Sequence, residues 1–173
     1  MMPALPDLSE LAKRQSGQPI RVLMVCMGNI CRSPTAHGVL QKKVLKAHIQ
    51  HALEVDSAGT HDYHIGDPPD ARTQQHALRR GYDLSTQRAR QLTRKDFERF
   101  DLILVMDTAN ETLARRLAPA QPRARLMRLT DFCTRHQATE VPDPYYGGER
   151  GFEEVLDLVE DACEGLLTAL RLI

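Results

Sequence analysis

Short apolar runs alternate with amphipathic stretches along this chain, and their order predicts its architecture. Arg21-Val-Leu-Met-Val-Cys26 is apolar and β-branched without alternation, the pattern of a strand covered on both faces of a parallel sheet. Gly28-Asn29 ends it. Ser33-Pro34 then offers a helix N-cap with a first-turn proline, and Ala36, Val39, Leu40, Val44 and Ala47 follow at helical spacing. Residues 53–58 predict a second strand, 59–69 a Gly/Pro-rich loop, and 70–80 a helix that Gly81 would end. Residues 102–106 are a third doubly buried strand, followed by a helix over 109–117 that stops before Pro119. Residues 124–129 form a weaker fourth strand.

Residues 133–151 have no period but contain Pro142-Asp-Pro-Tyr-Tyr-Gly-Gly148. The last segment places Phe152, Val155, Leu156, Val159, Cys163, Leu166, Leu167 and Leu170 on one stripe, a strong helical signal that makes Cys163 a core residue. Strands alternating with helices predict an α/β layer fold with a mostly parallel sheet. Residues 1–19, with Pro3, Pro6, Gly17 and Pro19, read as a flexible N-terminal tail carrying at most a short helix at 9–14. Residues 20–173 are then the single domain.

Composition narrows the function classes. At 173 residues, one core suffices without disulfide staples. Charged residues are 27% and hydrophobic ones 42%, too apolar for disorder. Lysine plus arginine equals aspartate plus glutamate at 23 each, so no basic field favours nucleic acid. No apolar run is long enough to insert in a membrane, and the polar, proline-broken start does not read as a signal peptide, so a cytoplasmic protein is expected. Among Cys26, Cys31, Cys133 and Cys163, at least one is then expected to be a reactive thiol.

The neighbours of Cys26 single it out. In Cys26-Met-Gly-Asn-Ile-Cys-Arg-Ser-Pro34 a cysteine ends a strand and Arg32 precedes a helix, so the loop lies beyond the carboxyl end of the sheet, where ligands bind in open α/β folds. Backbone amides closing onto a helix N-terminus cradle an anion, and Arg32 adds a planar fork of donors for a phosphoryl group. Cys26 at its centre is an activated nucleophile. Gly28 and Asn29 suit a loop that needs close approach or positive φ. Ser33 either caps the helix or donates its hydroxyl to the Cys26 sulfur.

These residues resemble the low-molecular-weight protein tyrosine phosphatase family, whose loop has the form V-C-x-G-N-I-C-R-S-P, here Val25 to Pro34. Residues 55–60, 63–70, 89–92, 106–107 and 143–147 are also similar, so the resemblance spans residues 20 to about 170. It implies four parallel strands with helices on both faces. It also implies metal-free, cofactor-free hydrolysis of phosphotyrosine proteins through a phosphocysteine, with a phosphate or other oxyanion held by residues 27–33. By the same resemblance the physiological substrate is expected to be either a bacterial tyrosine kinase linked to polysaccharide export or a host protein, as in bacteria-like members.

An acid is also needed, because a phenolate of pKa about 10 leaves poorly without a proton. Asp143, between two prolines, matches the family's catalytic aspartate. Tyr145 and Tyr146 would wall the mouth of the cleft. By resemblance the opposite wall comes from Leu53, and with no tryptophan in the chain the groove is more open there. Ser57 matches a residue that holds the loop asparagine, and Cys31 one that pairs with the nucleophile under oxidation.

Arg80 before Gly81 departs from animal members, which carry a histidine that steadies that asparagine. Arginine phosphatases, with Thr at the position of Ile30, and arsenate reductases, with a further cysteine pair, are the nearest alternatives; a phosphate-binding module or a thiol switch without turnover is a more distant one. Cys133-x2-His136 and His61-x2-His64 have zinc-like spacing without matching partners, and no metal is expected. The basic residues from Arg79 to Lys95 read as a solvated face, and the methionines as core.

Overall fold

The computed structural model describes residues 4–14 and 17–173. Its centre is a four-stranded parallel sheet of β1 (Ile20–Cys26), β2 (Leu53–Gly59), β3 (Leu102–Val105) and β4 (Arg125–Arg128), in the order β2-β1-β3-β4. Side chains alternate between faces along a strand. The apolar run of β1 therefore feeds two cores: Val22, Met24 and Cys26 on one face, Leu23 and Val25 on the other.

The first face is covered by α2 (Arg32–Lys46), α3 (Ala71–Arg79) and α6 (Glu149–Ala169), through Val39, Leu40, Ala77, Val155 and Val159. The second is covered by α4 (Asp96–Arg99) and α5 (Thr108–Leu117), through Phe97 and Ala114. Chain order switches direction across β1, so the crevice at the carboxyl ends of β1 and β3 opens where ligands bind in such sheets. No helix among the described residues is long and apolar enough to cross a membrane.

The short helix expected at 9–14 forms as α1 (Ser9–Ala12). The expected free tail is corrected where it is described: Leu8 is buried in the core, Arg14 forks onto Asp101, and the Asp7 carbonyl accepts from Arg125. Residues 1–3 and 15–16 of that expected tail lie outside the described residues. Helix α4 and a 3-10 turn at Leu129–Phe132 were not legible, since four residues are too few to show a period.

Candidate active site

Helix α2 begins one residue before the expected cap. Cys31 is the N-cap and makes no side-chain capping bond, which releases Ser33 from that duty. Its hydroxyl lies 3.1 Å from the Cys26 sulfur. The loop between them is drawn out from behind: the Cys26, Met27 and Ile30 carbonyls accept from the Thr60, His61 and Asp70 amides at 2.9, 3.0 and 2.9 Å. With its carbonyls engaged outward and the N-terminus of α2 beneath, the loop keeps its amides for an anion.

One residue of the loop, Asn29, adopts a left-handed conformation, with φ of 57°. Gly28 does not; its lack of a side chain instead makes room for His64, whose ring would lie 3.1 Å from a Cβ there. Gly59 is also spatially required, because a Cβ would meet the Met27 carbonyl oxygen at 2.7 Å. The Asn29 side chain fixes the strained turn from three sides. Its amide donates to Ser33 and Ser57 at 2.8 and 3.0 Å, and its oxygen accepts from the Arg90 backbone N–H at 3.0 Å.

Arg80, which stands where animal members carry the steadying histidine, takes no part in this support. That side chain lies at the far end of α3 and pairs with Glu153, Asp157 and Glu160, tying α3 to α6. Asn29 is backed instead by Ser57, which meets His37 Nδ1 at 3.2 Å and donates to Gln87 at 3.5 Å. Arg90 is held by Asp56 and Asp96. Burial pushes the His37 pKa down, Asp56 and Gln87 opposing, so the imidazole at this position favours its neutral form.

Arg32 is almost wholly buried, and its Nη1 is anchored by Asp107 at 2.6 Å and by the Val141 carbonyl at 3.1 Å. Burial works against its charge; Cys26, Asp107 and Asp143 outweigh this and raise its pKa. The rest of the guanidinium is left for a ligand, with Nη2 at 3.7 Å from Asp143. Asp107 also caps α5 by accepting from Asn110 N–H at 2.8 Å, so both its oxygens are occupied.

The parts meet in a cavity of about 240 Å³. Cys26, Met27, Gly28, Ile30, Cys31 and Arg32 form its floor, and Asp143, Tyr145 and Tyr146 one side. The other side is Tyr63 and His64, which sequence reasoning did not assign. Leu53 is corrected: it pairs with Ile20 at the opposite end of the sheet and is buried in the core. The signal that would have found Tyr63 is topological. Parallel strands present their carboxyl ends together, so the loop after Gly59, not the residue that opens β2, must lie beside Cys26.

Asn29, Ser33 and Ser57 stand behind the loop and do not line the cavity. Burial pushes the Cys31 thiol up to about 12, with Asp70, Cys26 and Asp143 adding to it. Cys133 and Cys163 are buried away from the site and are likewise pushed up to about 12. All four thiols are free. Among the described residues no three His, Cys, Asp or Glu side chains converge as metal ligands.

Comparisons with known proteins place this geometry. Residues 21–172 match the family model described as low molecular weight phosphotyrosine protein phosphatase. A low molecular weight protein-tyrosine-phosphatase of Streptomyces coelicolor is 44% identical over 154 residues, 87% of this chain and 93% of that one. A protein tyrosine phosphatase of Entamoeba histolytica, solved with Hepes in its active site, is 42% identical and superposes with a TM-score of 0.85, over 88% of this chain and 97% of that one. A Drosophila arginine phosphatase is 31% identical with a TM-score of 0.81, over 86% and 96% of the two chains. A matching family model over nearly the whole chain, with relatives this similar along their full length, establishes that the chain belongs to the low-molecular-weight protein tyrosine phosphatase family.

Proposed function

We propose that Cys26, Arg32 and Asp143 carry out phosphotyrosine hydrolysis in two steps. The observation that carries this reading is the convergence of the Cys26 sulfur, the free side of the Arg32 guanidinium and the Asp143 carboxylate on one cavity. The Cys26 thiolate attacks phosphorus and forms an S–P bond, while Arg32 and the amides of residues 27–32 hold the equatorial oxygens. The P–O bond to tyrosine breaks, and Asp143 gives its proton to the departing oxygen. Asp143, now ionised, takes a proton from water as it attacks the phosphocysteine. Ser33 donates to the sulfur as the thiolate leaves.

Tyrosine is favoured over arginine as the phosphoryl carrier by the walls of the cavity. Tyr63, Tyr145 and Tyr146 present aromatic faces at its mouth, while the branched Ile30 crowds its floor. An arsenate reductase reading lacks support, since Cys133 and Cys163 are core residues. A bacterial tyrosine kinase is the partner class we favour. A cytoplasmic setting suits a nucleophile that must stay reduced.

The acid assignment is tested by leaving-group dependence. Asp143→Asn slows the burst of phenol release from phosphotyrosine by about 10²–10⁴-fold and that from 2,4-dinitrophenyl phosphate far less. Equal slowing of both would remove Asp143 from the role.

A further inference from the structure

Asp143 is exposed on a turn whose next residue, Pro144, is buried beside Gly151, and the hydrogen bonds inside that turn cannot place it over Cys26. Tyr145 N–H donates to its carboxylate at 3.0 Å and Gly147 N–H to the Pro144 carbonyl at 3.0 Å, so both partners of each bond move together. Tyr146 is 89% exposed, which rules out packing of that side chain as the anchor. The N-terminal side is fixed by Val141, whose N–H donates to the Met106 carbonyl and whose carbonyl accepts from Arg32. Among the described residues, one side chain from outside the turn donates to the backbone on its C-terminal side, Arg72 of α3.

Arg72 Nη2 donates to the Tyr145 carbonyl at 2.8 Å. Its guanidinium also forks toward Asp70 at 3.4 and 3.3 Å and lies 4.9 Å from the Phe152 ring centroid and 5.6 Å from that of Tyr145. Asp70 caps α3 by accepting from the Arg72 and Thr73 amides, and its own N–H donates to the Ile30 carbonyl of the phosphate loop. Phe152 packs against Ile30 and Cys31. A chain of hydrogen bonds thus runs from Ile30 through Asp70 and Arg72 to Tyr145 and on to the Asp143 carboxylate.

We propose that Arg72 is a positioning residue that holds the acid turn in register with the phosphate loop. The inference rests on Asp143 being the acid. A general acid must stand within hydrogen-bond reach of the oxygen it protonates, and a displacement of about 1 Å can cost about 10²-fold. A planar guanidinium meets a carboxylate, a carbonyl and a ring face at once, which an ammonium cannot. Arg72 touches neither substrate phosphate nor sulfur; it acts through Tyr145.

The test is a double-mutant cycle on burst rates, using a phosphotyrosine peptide and 2,4-dinitrophenyl phosphate. Arg72 is half exposed, so its substitution leaves the fold intact. Arg72→Ala slows the phosphotyrosine burst about tenfold, slows the dinitrophenyl burst by about twofold or less, and adds no further loss on phosphotyrosine to Asp143→Asn. Inhibition by inorganic phosphate is unchanged. Equal slowing of both substrates by Arg72→Ala, or losses that multiply in the double variant, would overturn the positioning role while leaving the acid assignment in place. If Asp143→Asn itself slows both substrates equally, the acid assignment fails and the role of Arg72 fails with it.

Discussion

Ser33 Oγ lies 3.1 Å from the Cys26 sulfur and accepts the Asn29 side-chain amide at 2.8 Å. With its lone pair engaged, its own proton is available to the sulfur, the Ala58 carbonyl at 3.4 Å being the longer alternative. In the proposed mechanism a hydroxyl placed this way would stabilise the thiolate that departs when the phosphocysteine breaks.

Ser33→Ala therefore slows breakdown of the phosphoenzyme more than its formation. Steady-state turnover of p-nitrophenyl phosphate falls about tenfold, in line with loss of one hydrogen bond to a charged group. The initial burst persists and stands out more sharply. A burst that shrinks with turnover unchanged would place Ser33 in the wrong step.

Ile30 lines the floor of the cavity beneath the aromatic mouth. Wild type prefers phosphotyrosine peptides, and Ile30→Thr shifts the ratio of kcat/KM toward phosphoarginine by relieving the crowding. Faster phosphoarginine hydrolysis by the wild type would reverse the substrate assignment.

Cys31 lines the same cavity as Cys26, and its thiol is pushed up to about 12, chiefly by burial, which bears on the redox role that the family resemblance implies for it. Attack on a sulfenic acid needs the thiolate, whose fraction rises about tenfold per pH unit below that value. Recovery of activity by dithiothreitol after a short peroxide pulse is therefore greater at pH 8.5 than at pH 6.5. Cys31→Ser recovers less at both. Equal recovery of the two proteins would remove Cys31 from redox protection.

Asp161 of α6 is fully buried and accepts from the Thr134, Arg135 and His136 amides and from the His136 ring. Burial opposes its charge, but these donors bring its pKa down to about 2 from 3.8. The folded value is below the unfolded one, so the stabilisation is complete above about pH 4 and is lost as pH falls toward 2. It is worth about 2 kcal/mol. Asp161→Asn loses about that much in urea unfolding at pH 7, and the gap to wild type closes in acid.

What the sequence made legible was local or carried by a long period. The doubly buried β1, the phosphate loop and the stripe of α6 each declare themselves within one segment. The N-cap was misplaced by two residues because Ser33-Pro34 has the composition of a helix start and Cys31 does not, and only the geometry shows the Ser33 hydroxyl turned to sulfur. The mouth was half legible: Tyr145 and Tyr146 follow Asp143 in sequence. Tyr63 and Leu53 flank the same strand at its two ends, and choosing between them required strand direction. Gln87, Arg90 and Arg72 reach the site from loops and a helix whose placement is tertiary, so no spacing announces them.

The proposed mechanism depends on a covalent intermediate at Cys26, and the most direct measurement is acid quenching within the first turnover, followed by peptide mass spectrometry. In wild type the peptide holding Cys26 carries one phosphoryl group, at close to one per protein molecule, whether or not EDTA is present. Cys26→Ser still binds inorganic phosphate but forms no turnover-competent adduct and loses nearly all activity toward p-nitrophenyl phosphate. Unmodified Cys26 during wild-type turnover, or substantial turnover by Cys26→Ser, would contradict the account.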